Sequence, residues 1–157
     1  MLLNAPVSAS ALDLDLLARL CTAALLGLAL GIDREWQGHA AGLRTHGIVC
    51  LTSAAMTVAI IAIYLQLDGE RMDPLRIFEA TGAFIGIVGA GLIVFSKGEV
   101  KNITTAVHLW LTAVVGIACG AALWPVVIVL AVVGFLMLTV LGFVERRVLQ
   151  RSEENAR

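Results

Sequence analysis

Apolar residues run along this chain in five long stretches separated by short polar breaks, over 12–32, 46–67, 75–95, 103–122 and 124–144. Each is close to the roughly 20 residues a helix needs to cross about 30 Å of hydrocarbon. The runs are continuous and do not alternate, which reads as helix and not as barrel strand, and a helix satisfies its own backbone hydrogen bonds where water is absent. The breaks carry turn chemistry. Gly38 to Arg44 separates the first two runs, L-D-G-E-R-M-D-P places Pro74 to open the third, and Lys97 to Asn102 precedes the fourth. Only G-A-A-L-W-P joins the fourth to the fifth, so Gly120 and Pro125 frame a tight helical hairpin with Trp124 at the interface. The pattern predicts an all-α, polytopic membrane protein, a bundle of five transmembrane helices over 12–144. An N-terminal tail at 1–11 and a short basic tail at 145–157 flank it.

Composition strengthens this reading. Apolar residues make up 59% of the chain and charged residues 15%, against about 25% charged in ordinary soluble domains, and the mean hydropathy is +0.92. Eleven Lys and Arg against 12 Asp and Glu leave a net charge of −1, without the basic footprint of a nucleic-acid binder. Cys21, Cys50 and Cys119 sit in apolar stretches without metal-ligand or C-x-x-C spacing and read as packing residues. The first ten residues contain no Lys or Arg for a secretory signal, so the first helix is expected to stay attached. With five passes, Arg34, Arg44, Lys97, Lys101, Arg146, Arg147, Arg151 and Arg157 fall on one side and Arg19, Arg71 and Arg76 on the other. The richer side is expected to be cytoplasmic, which puts the N-terminus outside and the C-terminus in the cytoplasm.

Charges within a membrane-spanning run cost free energy, so each asks for a partner or a purpose. Arg19 and Glu79 lie at similar depth near the outer ends of the first and third helices and are expected to form an intramembrane charge pair. The first inner loop is denser. G-I-D-R-E-W-Q-G-H-A-A-G-L-R-T-H gathers Asp33, Arg34, Glu35, His39, Arg44, Thr45 and His46, either as a solvated interfacial loop or as a functional polar cluster. Its spacing specifies no set of convergent ligands, so neither a metal nor a cofactor is expected there. On the fourth helix Thr104, His108, Thr112, Gly116 and Gly120 recur every four residues, with Thr105 beside them. Gly82, Gly86, Gly89 and Gly91 on the third helix form a second small-residue ribbon, and the two ribbons are expected to face each other. His108 lies near the inner end of its helix, within reach of Asp33, Glu35 or Thr104. Titrating nearest neutrality, it is the candidate switch.

Taken together, G-I-D-R-E-W-Q, A-G-L-R-T-H, the D-P-L-R-I and G-A-G-L-I of the third helix and the T-T-A-x-x-L-W of the fourth resemble the MgtC/SapB family of bacterial membrane proteins. The likeness covers about Leu26 to Trp124. It implies a bacterial inner-membrane protein; many relatives continue into a soluble C-terminal domain, and this chain, which stops about a dozen residues past Val144, departs from them and is expected to be a short form. The family is associated with adaptation to low magnesium, with intracellular survival in some pathogens and with restraint of the F-type ATP synthase. The residues that match are Asp33, Arg34, Glu35, Gly42, Leu43, Arg44, Thr45, His46, Gly89, Gly91, Thr104, Thr105 and Trp110. Val107-His108 departs from the small or hydroxyl residues common at that place.

The expected function is that of a membrane regulator that binds another membrane complex through its helices. The alternative is a Mg²⁺ or proton transporter or channel subunit. For conduction by one copy, the acids are badly spaced, with Glu79 near one face, Asp33 and Glu35 near the other, and none between. Partners are then the lipid bilayer and either a membrane protein or further copies of the chain. No G-x-S-x-G, H-E-x-x-H or phosphate loop is present, so no enzyme is expected.

Overall fold

The computed structural model describes residues 13–66, 73, 75–96, 99–137 and 140. Both expected tails, most of the polar turn 67–74 and most of 138–144 lie outside the described residues. The architecture is an all-α membrane bundle. In chain order it has α1 (Leu14–Trp36), α2 (Leu43–Gln66), α3 (Arg76–Leu92), a two-stranded hairpin of β1 (Val94–Ser96) and β2 (Glu99–Lys101), α4 (Ile103–Gly120) and α5 (Trp124–Met137). By length and composition α1, α2 and α4 can cross a membrane, while α3, apolar over Phe78–Leu92, and α5 are shorter apolar helices over the described residues.

Three boundaries differ from the apolar pattern. α1 continues to Trp36 and α2 begins at Leu43, so the expected inner loop shrinks to 37–42. Hydropathy ends before the helix does because the last turn of α1 is polar. The helix stops where Gly38 takes a φ of +69°, with Gly38 N–H donating to Glu35 O and His39 N–H to Arg34 O, both at 3.1 Å. These are the two bonds of a glycine-terminated helix end. α3 stops at Leu92 and not at 95, because the chain turns into the antiparallel hairpin that pairs Val94 with Lys101 and Ser96 with Glu99. Asn102, at φ 66°, then redirects the chain into α4 and donates from Nδ2 to Leu92 O at 3.0 Å, tying the end of α3 to the start of α4.

Close glycine approaches fix the helix directions. A Cβ on Gly27 would lie 2.6 Å from Cys50 Cβ, and one on Gly31 2.6 Å from Leu43 Cα, so α1 runs antiparallel to α2. Gly116 sits against Cys50 and Ser53, and Gly120 against Ala54 and Thr57, so α4 runs parallel to α2. Gly82 meets Trp110 and Gly89 meets Ala106, which sets α3 antiparallel to α4. Direction therefore alternates from α1 to α4. The core lies among α1, α2 and α4, with Ala23, Leu30, Cys50, Ala54, Val115, Ala118 and Cys119, and α5 adds Val127. Small residues let the backbones approach, and in lipid that packing stabilises the bundle where the hydrophobic effect cannot.

The two ribbons expected to face each other do not. Gly116 and Gly120 pack on α2. On α3 only Gly82 and Gly89 meet α4, while the sites of Gly86 and Gly91 open onto free space. The reason is angular: residues four apart on α4 stay on the face turned to α2, and Trp110 and Ala106 occupy a different one.

Candidate functional site

The polar residues of the expected loop belong to the end of α1 and the first turn of α2, where α4 also begins. Glu35 Oε2 accepts the Leu43 backbone N–H at 3.0 Å, so a carboxylate of α1 caps the N-terminus of α2. Gly42 makes room for it, since a Cβ there would fall on Glu35 Oε2. One turn into α2, His46 Nδ1 donates to Gly42 O at 2.9 Å, which places the proton on Nδ1 because a carbonyl only accepts. At the rim, Gln37 donates from Nε2 to Asp33 Oδ2 and accepts from His39 Nε2 at 3.2 Å.

Beneath this rim Arg34, 6% exposed, reaches from α1 to α4, where its Nη2 lies 2.8 Å from His108 Nε2. A guanidinium has no acceptor. His108 Nε2 is therefore the acceptor, the imidazole is neutral, and its proton is on Nδ1. Arg34 is also within electrostatic range of His46. Three buried polar atoms here have no hydrogen-bond partner among the described residues: His108 Nδ1, His46 Nε2 and Thr105 Oγ1. His46 and Thr105 are both 0% exposed.

Of the residues singled out in the sequence, the fold thus brings Asp33, Arg34, Glu35, His46, Thr105 and His108 to one end of α1, α2 and α4. Arg44 and Thr104 are exposed, and Thr45 is half-buried on the first turn of α2. His108 meets Arg34, and not the acids or Thr104 that its depth suggested, because the long arginine stem spans the α1–α4 seam. Among the described residues no three His, Cys, Asp or Glu side chains gather to hold a metal ion. Gln37 was missed because a neutral amide in a polar run carries no signal of its own.

At the opposite end of the seam Arg19, 3% exposed, pairs with Asp15 at 2.5 Å and donates to Gly120 O at 3.1 Å. The ion pair expected with Glu79 is corrected: Glu79 is exposed on α3, and Arg19 finds a carboxylate one turn back on its own helix. That i,i+4 spacing was readable. So was G-x-x-x-G at Gly27 and Gly31, both of which pack against α2.

Residues 20–147 match the model of a family described as the MgtC family. The chain is 30% identical over 141 residues to YhiD of Escherichia coli (strain K12), a protein whose name proposes magnesium transport; the match covers 88% of this chain and 66% of YhiD. It is 33% identical over 117 residues to SapB of Bacillus subtilis (strain 168), covering 72% of this chain and 50% of SapB. To MgtC of Brucella abortus (strain 2308) it is 35% identical over 106 residues, covering 68% of this chain and 42% of that protein. The matched region is thus between about two-fifths and two-thirds of these relatives' length. No solved structure matches the chain.

Proposed function

The chain belongs to the MgtC family, and from that premise we propose that it is an integral membrane regulator that binds another membrane complex through its helices in adaptation to low magnesium. The F-type ATP synthase is the partner that the resemblance implies. The observation that carries this reading is how the motif residues are engaged. Glu35 caps α2, Asp33 and Gln37 hold each other at the rim, and Arg34 joins α1 to α4. These side chains fix one polar end of a bundle and do not line a path through it. Beyond that end, α3 turns Gly86 and Gly91 away from the rest of the bundle, as a helix does that another helix can approach. The basic end is read as cytoplasmic in a bacterial inner membrane, with the N-terminus outside.

The name of YhiD favours a second reading, transport of Mg²⁺. Against it stands the engagement of the cluster's carboxylates, since Glu35 accepts the Leu43 backbone N–H and Asp33 accepts from Gln37, which leaves neither directed at a path between the helices. The test is gentle extraction of native membranes followed by native mass spectrometry. Recovery of the chain with ATP synthase subunits or another membrane complex is expected, and persistent recovery of the chain alone counts against regulation by binding. Mg²⁺ uptake by purified protein in liposomes would move the reading to transport.

A further inference from the structure

We propose that the Arg34–His108 contact is an acid-opened latch: protonation of His108 releases α1 from α4 at the polar end and admits water to His46 and Thr105. This does not rest on the identity of any partner. The argument begins with the acceptor. Arg34 can only donate, so the bond at 2.8 Å uses the lone pair on His108 Nε2. A proton arriving from solution must take that same lone pair, because Nδ1 already carries one. Proton and arginine therefore compete for a single atom, and the protonated ring would set two cations against each other across the seam. Acidification favours the open form; raising the pH favours the closed one.

The surroundings of His108 preserve this competition. From α1 it meets Arg34, with Asp33 beside it and Glu35 engaged in capping α2. From the 37–42 connection comes His39, hydrogen-bonded to Gln37, and from α2 come His46 and the exposed Arg44. The β2 strand ends in exposed Lys101, and the half of α3 that follows Ile85 offers no titratable side chain. Asp33 is the one carboxylate of this set not held to a helix end, and it sits at the rim bound to Gln37.

The closed form also carries a reason to open. It leaves His108 Nδ1, His46 Nε2 and Thr105 Oγ1 buried without hydrogen-bond partners among the described residues, and such groups favour hydration. The latch opposes that tendency, and its loss would let the polar end hydrate while the glycine-packed seam of Gly27, Gly116 and Gly120 stays closed.

The experiment is amide hydrogen exchange on the full chain in lipid nanodiscs between about pH 7.5 and about pH 4, corrected for intrinsic exchange rate, with wild type beside His108→Gln. Glutamine keeps an acceptor for Arg34 and takes up no proton. In the wild type, protection over 33–46 and 103–109 is expected to fall about tenfold along a one-proton curve, while His108→Gln stays flat. Coincident wild-type and His108→Gln profiles, or a flat wild-type profile, would overturn the latch. Nitrogen-15 NMR of labelled histidine in the wild type decides the matter independently of any variant. His108 is expected as the neutral ring protonated at Nδ1 at neutral pH, and a doubly protonated ring or one protonated at Nε2 would also overturn it.

Discussion

Replacing Gly116 with Ala tests whether close backbone approach holds α2 and α4 together. An added Cβ would fall on Cys50 O and lie 2.9 Å from Ser53 Cβ and 3.0 Å from Cys50 C. Ordinary contact starts near 3.4 Å and the nearest neighbour, Cys50 O, would lie about 1 Å inside that limit; these neighbours are mostly backbone, so the helices must part by about 1 Å. A gap of that size forfeits roughly half of the dispersion attraction of each facing atom pair, and the facing atoms here include the core of Cys50, Ala54, Val115 and Cys119. Overpacking of this kind costs about 1–3 kcal/mol, and replacing Gly by Ala in a helix returns about 0.5–1 kcal/mol. The net expectation is a loss of up to about 2.5 kcal/mol. Gly86→Ala is the internal control, since a Cβ there meets nothing within 4 Å and gains the helix term alone. The two variants should differ by about 2 kcal/mol, or about 30-fold in the unfolding equilibrium, measured by reversible unfolding in mixed micelles or by steric trapping in bilayers. Equal stability of the two, or Gly116→Ala as the more stable, would refute the argument that this seam depends on the missing side chain.

Other consequences are open to the same measurements. Ala122 closes α4 at φ 55°, a left-handed conformation that costs a residue with a Cβ about 1–2 kcal/mol, so Ala122→Gly should raise Tm; an unchanged or lower Tm would contradict the strain. Glu35→Gln and Gly42→Ala should each weaken the cap on Leu43 by about 1 kcal/mol, and the double variant should be no worse than the worse single one, because both act on one hydrogen bond. Additive losses would show that Gly42 serves something else. Arg19→Leu leaves Asp15 and Gly120 O without their guanidinium and should cost about 3–5 kcal/mol, whereas Glu79→Gln, exposed on α3, should stay within about 0.5 kcal/mol. The reverse order would restore the pairing of Arg19 with Glu79.

The helical bundle was legible because lipid leaves a backbone few solutions, and continuous apolar runs of about 20 residues admit helices readily. The ends of those runs were less legible. Asp33, Arg34 and Glu35 are helical, yet hydropathy marks them as loop, since the helix extends past the apolar slab to where its side chains cap a neighbour. Partner choice was the least legible of all. Spacing places Gly116 and Gly120 on one face of α4 but does not say which helix that face meets, and depth alone offered His108 three partners, none of them the arginine it has. A side chain as long as arginine reaches farther than the uncertainty in depth, so register along one helix cannot assign its contact on another. Asp15, four residues before Arg19, is legible from i,i+4 spacing, and a partner on the same helix costs less to order than one at equal depth on another.

The two buried arginines bring these observations to one point. Arg19 joins the start of α1 to the end of α4, and Arg34 joins the end of α1 to the first turns of α4. Between them the seam is apolar and rests on α2 through glycine. α1 and α4 are thus tied at both ends, and α2 packs on both through glycine and is capped at its start by Glu35. α3 is joined differently, through Gly82 on Trp110, Gly89 on Ala106, Ile85 in the smaller core cluster and Asn102 on Leu92 O. None of these contacts is made by a buried charged side chain. Opening free energies within one protein follow the density of such buried contacts, so a second membrane protein that competes for helix surface meets less resistance at α3 than at any seam closed by an arginine. Under the proposed regulation by contact, α3 is therefore the helix a partner is expected to engage.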